Sequence, residues 1–68
     1  MTTMYRLKVR AVAESKGFNQ SSLSRASDIS FATIRRIWRD PYYDISMSTL
    51  TKIAQALKVD VRDLIEEE

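Results

Sequence analysis

The sequence predicts an all-α domain of five helices, with two short helices joined by a tight turn at its centre, at about residues 20–39. One glycine and one proline among 68 residues leave little room for strands and hairpins. Apolar residues between positions 47 and 57 recur at the three- and four-residue spacing of a helix. Asn19 and Ser30, two good N-cap residues, precede the two central helices.

Length and composition predict a single domain, residues 1–68, and disfavour several functions. A chain of this size buries only about 60% of its unfolded surface, so its core is thin. The longest apolar run, residues 11–13, predicts no membrane span, no signal peptide and a cytoplasmic location. The chain has no cysteine and no histidine, and no base is placed to activate a serine. We therefore expect no enzymatic activity, no metal and no other cofactor.

The net charge of +2 is unevenly distributed along the chain. Residues 1–39 hold eight lysines and arginines against two acids, whereas residues 40–68 hold three against seven. A positive half and a negative half suit a surface that faces phosphates and has an acidic back. The alternative is an ordinary scatter of charges over a small domain.

The first predicted helix covers about residues 4–16. Its apolar face carries Tyr5, Val9, Val12, Ala13 and the stem of Lys16. On the polar side, Arg10 and Glu14 are spaced for a weak ion pair one turn apart. Leu7 fits neither face, so we expect the last helix or a partner to cover it. Gly17 ends the helix, as a glycine just past the last turn commonly does.

The first central helix begins after Asn19, whose side chain accepts a hydrogen bond from an amide of the first turn. Leu23 and the small Ser27 fall four residues apart on one face. The helix stops at Asp28, a residue type that tolerates a left-handed or turn conformation. Ser30 then caps the next helix.

The second central helix, residues 31–39, has an apolar face and a basic one. Ile34 and Ile37 lie three residues apart and are predicted to face the core. The side chains left pointing elsewhere are Phe31, Ala32, Arg35, Arg36 and Arg39. Pro41 pushes Asp40 out of helical geometry and ends the helix. A helix–turn–helix that projects arginines outward is suited to enter a DNA groove.

Two further helices are predicted after the loop at residues 40–45. Ser46 caps the fourth helix, whose apolar stripe consists of Met47, Leu50, Ile53, Ala54 and Leu57. Asp60 caps the fifth, and Asp63 completes a weak capping-box pattern. The apolar contacts of the fifth helix are Val61, Leu64 and Ile65. The three glutamates at 66–68 are interpreted as a frayed, solvated end.

Three motifs, in this order and spacing, resemble the small Cro and lambda-repressor type helix–turn–helix domains of the xenobiotic-response-element superfamily. Gly17-Phe18-Asn19-Gln20-x-x-Leu23 resembles the entry into the family's second helix, and Ile29-Ser30-x-x-Thr33-Ile34 resembles its turn and recognition helix. Leu50-x-x-Ile53-Ala54-x-Ala56-Leu57-x-Val59-x-x-x-x-Leu64 resembles its last two helices. The resemblance covers residues 9–65. It implies a five-helix lambda-repressor-like fold and a sequence-specific regulator of transcription, a small prokaryotic or phage repressor reading the major groove with residues 31–39.

Several departures from the family pattern bear on packing. Ser24 replaces the usual alanine and is small enough to keep the helices in close contact. Asp28 and Lys58 stand where the family usually has glycine, and a left-handed Lys58 would cost about 1 kcal/mol. Where the family often has a partly buried arginine–glutamate pair, this chain has Ala13 and Trp38. Because apolar replacement of such a pair is often neutral or stabilising, we expect Trp38 to fold over Ala13. The alternative places Trp38 on a nucleic-acid base or in a dimer contact.

Carried over from the family position by position, two sets of side chains contact DNA. The base-contacting set is Phe31, Ala32, Arg35 and Arg36. Arginine donates two hydrogen bonds to guanine, and apolar side chains touch the thymine methyl group. The phosphate-contacting set is Asn19, Gln20, Ser21, Ser30, Thr33, Arg39, Tyr42 and Tyr43, most of them near helix N-termini. The alternatives are a solvated arginine face, caps that only cap, and tyrosines that only pack the loop.

The predicted partner is double-stranded DNA, bound by a homodimer because most relatives read palindromic sites. The fifth helix, the loop at residues 42–45 and Leu7 are the candidates for the dimer surface. The alternative function is an antitoxin or protein-binding adaptor with the same fold, which would have a protein partner as well.

Overall fold

The computed structural model describes residues 5–67, in which four α-helices surround one core and a two-stranded sheet joins the two ends. The elements in chain order are β1 Tyr5–Leu7, α1 Val9–Ser15, α2 Gln20–Ser27, α3 Phe31–Arg39, α4 Met47–Leu57, a 3₁₀ helix Val61–Leu64 and β2 Ile65–Glu67. The helical architecture predicted from the sequence is confirmed, although the described residues also contain a two-stranded sheet that the all-α prediction did not include. The predicted count of five α-helices is wrong, because only a 3₁₀ helix follows α4.

Side-chain caps begin the helices where the sequence predicts them. At α2, the Oδ1 atom of Asn19 accepts the N–H of Ser22 at 2.8 Å, and the Ser22 Oγ accepts the N–H of Asn19 at 2.9 Å. At α3, the Ser30 Oγ accepts the N–H of Thr33 at 3.3 Å. Ser46 caps α4 in the same way. Each of these side chains satisfies an amide that has no partner within its own helix.

The core is built from the inward faces of all four helices and the 3₁₀ helix. Its buried apolar residues are Val9, Ala13, Leu23, Ile34, Ile37, Leu50, Ile53, Ala54, Leu57 and Leu64. Ser27 is the buried polar residue of the described chain, and its hydroxyl donates to the Leu23 carbonyl at 2.7 Å. Met47, predicted to belong to the α4 stripe, is 64% exposed because it occupies the first turn, ahead of the residues that reach the core.

The first helix begins at Val9, and the prediction of a start near residue 4 is wrong. Residue 4 lies outside the described residues, and Tyr5–Leu7 form β1, which pairs antiparallel with β2 so that Leu7 lies opposite Ile65. The Leu7 N–H donates to the Pro41 carbonyl at 2.7 Å, which holds the other edge of β1. Tyr5, expected on an apolar helix face, is exposed on this strand. Three residues are too few to show a period of two, so local pattern does not reveal the strand.

The predicted fifth helix is a single 3₁₀ turn, after which the chain extends into β2. Asp60 and Asp63 form the predicted capping box, with the Asp63 carboxylate accepting the N–H of Asp60 at 3.1 Å. The N–H of Arg62 donates to the Asp60 carboxylate at 2.9 Å, and its guanidinium donates to the same oxygen. These bonds hold the pKa of Asp60 below its usual value. Ile65, predicted to be helical, is extended because it pairs with β1.

Asp28 and Lys58, at the two positions where the family usually has glycine, both adopt the left-handed conformation, with φ of 59° and 58°. Each ends a helix: Asp28 follows α2, and Lys58 follows α4. The Lys58 N–H donates to the Gln55 carbonyl at 3.2 Å and the Val59 N–H to the Ala54 carbonyl at 3.0 Å, so the turn satisfies carbonyls of the last turn of α4. A side chain with a Cβ is strained in this conformation.

We therefore predict that Lys58→Gly raises the free energy of unfolding by about 1 kcal/mol, because glycine relieves that strain. Urea unfolding followed by circular dichroism measures the change. Lys52→Gly is the matched control: the same substitution in the exposed interior of α4 should lower the free energy of unfolding by roughly 0.5–1 kcal/mol. Equal losses of stability in both variants would contradict the role of the left-handed turn.

Candidate nucleic-acid interface

The surface of α3 is divided between a buried apolar side and an exposed side. Ile34 is 0% and Ile37 3% exposed, and both lie in the core. Their burial fixes the rotation of the helix about its axis, so the side chains on its opposite face point away from the core. The exposed ones are those predicted to contact DNA, namely Phe31, Ala32, Arg35, Arg36 and Arg39.

These five side chains line one shallow hollow along α3, together with Asp40. The predicted base-contacting set therefore shares a single surface with Arg39 from the predicted phosphate-contacting set. Three guanidinium groups face one carboxylate there, so the hollow is positively charged. The Phe31 ring is 47% exposed beside the arginines. Guanidinium donors next to an apolar ring match the guanine acceptors and the thymine methyl group of a major groove.

The turn between α2 and α3 is closed by a hydrogen bond that the sequence interpretation missed. The Ser24 hydroxyl, half-buried on α2, donates to the carbonyl of Ile29 at 2.6 Å. The family's usual alanine has no such donor, so this bond is a consequence of the departure at Ser24. Together with the left-handed Asp28, it fixes the angle at which α3 leaves the turn.

The predicted phosphate contacts near the helix N-termini form two groups. Asn19, Gln20 and Ser21 stand at the beginning of α2, whereas Ser30 and Thr33 stand at the beginning of α3. Asn19 and Ser30 use their side-chain oxygens as caps, and the Ser30 hydroxyl also donates to the Thr33 Oγ1 at 2.9 Å. Capping is sufficient to explain these two residues, so a phosphate contact by either stays a prediction.

The remaining predicted phosphate contacts lie at the other end of α3. Arg39 is exposed in the last turn, and Tyr42 and Tyr43 follow in the loop. The Tyr42 N–H donates to the Asp40 Oδ1 at 3.0 Å, and its side chain is 47% exposed. Tyr43 is half-buried, and the guanidinium carbon of Arg36 lies 4.9 Å from the centre of its ring. The Tyr42 side chain is thus the more exposed of the two, and the Tyr43 ring supports an arginine of the hollow.

A second basic surface adjoins Arg39. Arg6, Lys8 and Arg10, from β1 and the start of α1, line a cleft with Arg39 and the Trp38 ring. Arg6 and Arg10 each lie within 3.5 Å of a glutamate, in exposed ion pairs that hold little energy. The sequence interpretation did not include these three residues in the site. The excess of positive charge in residues 1–39 was the signal that pointed to them.

Ala13 is fully buried in the core, and Trp38 is half-buried against the same core. The indole also lines the basic cleft between α3 and the first residues of the chain, so part of it faces solvent. The cleft and the arginine hollow share Arg39, but Trp38 lines the cleft and not the hollow. Direct packing of Trp38 on Ala13 stays a prediction.

Two capped helices joined by a left-handed turn, with the second presenting its arginines to solvent, define a helix–turn–helix protein. The chain belongs to the Cro/C1-type HTH DNA-binding domain family, which it matches over residues 2–68. The family resemblance predicted from the three motifs is thereby confirmed. Comparison with curated proteins finds no match. Within residues 5–67, no helix is long and apolar enough to span a membrane, and no three metal-ligating side chains cluster.

Trp38 is the sole tryptophan, so its fluorescence tests the packing directly. We predict that neutral acrylamide quenches it several-fold less than free tryptophan amide, because the ring is partly buried against the core. Iodide should quench more than the acrylamide result implies, since the basic cleft attracts the anion, and this excess should fall with added salt. Acrylamide quenching equal to that of the free amide would show that Trp38 does not pack.

Proposed function

We propose that the protein is a sequence-specific regulator of transcription, a small prokaryotic or phage repressor, that reads double-stranded DNA through the major groove with α3. The observation that carries the proposal is the hollow formed by Phe31, Ala32, Arg35, Arg36 and Arg39 on the exposed side of that helix. A cytoplasmic location and the absence of catalytic activity belong to the same proposal.

Within the hollow, the arginines have different proposed roles. Arg35 lies in the middle of α3 and is the proposed base reader, donating two hydrogen bonds to the O6 and N7 of a guanine. Arg36 is a second reader or a phosphate contact. Arg39, in the last turn, is proposed to bind a phosphate, and Lys8 and Arg10 in the adjoining cleft extend its positive surface along the backbone. Phe31 and Ala32 are proposed to contact a thymine methyl group.

The phosphate contacts are proposed to begin at the amide-rich ends of α2 and α3. Gln20 and Ser21 lie in the first turn of α2, where free N–H groups and the helix dipole favour an anion. Asn19, Ser30 and Thr33 shape these ends through their caps and are proposed to add contacts of their own. Tyr42 is proposed to complete the set from the far side with its hydroxyl group, and Tyr43 through Arg36, whose guanidinium its ring supports.

Arg35→Ala and Arg39→Ala should have different effects on DNA binding. For a duplex selected by the protein from a random pool, Arg35→Ala should remove about 1–3 kcal/mol of discrimination at one base pair. Arg39→Ala should weaken selected and random duplexes alike and reduce the slope of log K against log salt by about 0.9. Fluorescence anisotropy over a salt series measures both effects.

Lys52→Ala, which removes a positive charge from the exposed side of α4, is the matched control and should leave specificity unchanged. If the protein binds no duplex DNA even at low salt, the proposal that it is a DNA-binding regulator is contradicted. That outcome would favour the alternative, an antitoxin or adaptor that uses the same fold to hold a protein partner.

We also propose that the protein binds DNA as a homodimer. Two of the predicted dimer candidates, Leu7 and the loop at 42–45, line one apolar groove with Tyr5, Met47 and Ile65. Tyr5 and Met47 are 59% and 64% exposed. An exposed apolar patch of this kind commonly marks an interface. A two-fold dimer through this patch would supply the second reading helix that a palindrome needs, with half-sites about 34–36 Å apart.

Met47→Glu tests the dimer. The new carboxylate lies in the first turn of α4, where the helix dipole favours it, so the fold should be retained. Burying that charge against a second copy is costly, so the variant should sediment as a monomer and bind a palindrome more weakly than the parent does. Gln55→Glu adds the same charge elsewhere on α4 and should change neither property. If Met47→Glu and the parent both sediment as dimers, this groove is not the dimer interface.

A further inference from the structure

Arg36 is the one arginine of α3 that has a side-chain partner within the described residues. Its guanidinium carbon lies 4.9 Å from the centre of the Tyr43 ring, inside the range of about 6 Å over which a cation is attracted to an aromatic face. The side chains of Arg35 and Arg39 are exposed, and neither guanidinium makes an ion pair or a hydrogen bond with another side chain of residues 5–67. Among the three arginines of the hollow, Arg36 is therefore restrained by an aromatic ring, whereas the side chains of Arg35 and Arg39 are not.

The Tyr43 ring is itself firmly placed. It is half-buried and packs against the core. The backbone N–H of Tyr43 donates to the Asp40 carbonyl at 3.2 Å, which ties the loop to the end of α3. The Pro41 carbonyl accepts the Leu7 N–H at 2.7 Å, which ties the same loop to β1. The ring that supports Arg36 is thus held by its packing on the core, and the loop that carries it is hydrogen-bonded to the end of α3 and to β1.

Contact with a ring uses the face of a guanidinium and leaves its edge free. The five N–H donors of arginine lie in the plane of the group, so contact on one face does not consume them. A long, flexible side chain ordinarily loses rotamer freedom when it binds. An arginine already restrained by an aromatic ring loses less of that freedom.

We propose that Tyr43 is a positioning residue, which restrains the Arg36 guanidinium against its ring so that the edge donors of Arg36 are preorganised for DNA. The inference rests on the proposed function, since it takes DNA as the ligand of the hollow. It assigns the action of Tyr43 to its ring rather than to its hydroxyl group. Arg36 then binds from a restricted set of positions, whereas Arg35 adapts to the base it meets.

Two substitutions of Tyr43 separate the ring from the hydroxyl group. Tyr43→Leu removes the ring but keeps an apolar side chain against the core, and it should weaken binding to the selected duplex by about 3- to 10-fold. Tyr43→Phe keeps the ring and should restore the affinity of the parent. Equal losses in both variants would show that the hydroxyl group contacts DNA and would overturn the proposal.

A double-mutant cycle with Arg36→Ala separates positioning from a general loss of folding. In the Arg36→Ala background, Tyr43→Leu should change the affinity by less than about twofold, because the group it restrains is gone. The same 3- to 10-fold loss in both backgrounds would overturn the proposal. Phe18→Leu, which likewise replaces a partly buried aromatic ring by an apolar side chain, is the matched control and should not couple to Arg36→Ala.

A measurement without DNA tests the contact by itself. In the parent and in Tyr43→Phe, the ring should displace the δ-methylene proton resonances of Arg36 upfield, and Tyr43→Leu should remove the displacement. Unshifted resonances in the parent would overturn the inference whatever the binding results. Upfield resonances together with no binding to any duplex would instead contradict the proposed function and leave the contact without a role in DNA recognition.

Discussion

The burial of Ile34 and Ile37 is the constraint on which the candidate interface depends. α3 has nine residues and no ion pair with the rest of the described chain, so its apolar face is what holds it in place. Leu23 from α2 and Ile53 from α4 are buried in the same core. Once the two isoleucines are inside, the arginines between and beyond them have to be outside. The position of the charged surface is therefore set by hydrophobic packing.

The tight turn before α3 sets the orientation of that helix relative to α2. Asp28 in the left-handed conformation reverses the chain, and the Ser30 cap begins the helix. The Ser24–Ile29 hydrogen bond adds a link across the turn that an alanine would not make. A reading helix must be placed precisely with respect to the backbone of its DNA, because misplacement loses the bidentate geometry that distinguishes bases. Several weak local interactions here serve one geometric purpose.

The sheet formed by β1 and β2 supports the loop that follows α3. Arg6 on β1 and Glu66 on β2 are 60 positions apart and lie 3.4 Å from each other, although their exposure makes the ion pair weak. The backbone pairing matters more, since it brings β1 beside the loop that follows α3. This arrangement places Lys8 and Arg10 next to Arg39 and the Tyr43 ring next to Arg36. Positive charge from the first described residues is thereby brought beside Arg39 of α3.

The sequence alone determined the features that depend on neighbours within one turn. The caps at Asn19, Ser30 and Ser46, the turn at Asp28 and the division of α3 into two faces follow from residue type and helical spacing, and the structure has them where the pattern predicts. The family assignment rests on the same local motifs. These features are predictable because the interacting atoms are only three or four residues apart.

Only the tertiary structure decided the features that join distant parts of the chain. Residues 5–7 are extended, and the end of the chain is a 3₁₀ turn and a strand, because each strand requires the other. Met47 is exposed because its turn lies beyond the core, and Arg36 meets Tyr43 because the loop folds back toward α3. Three-residue strands and a single cation–aromatic contact leave no periodic signal. Their partners are selected by proximity in space, which the order of residues does not reveal.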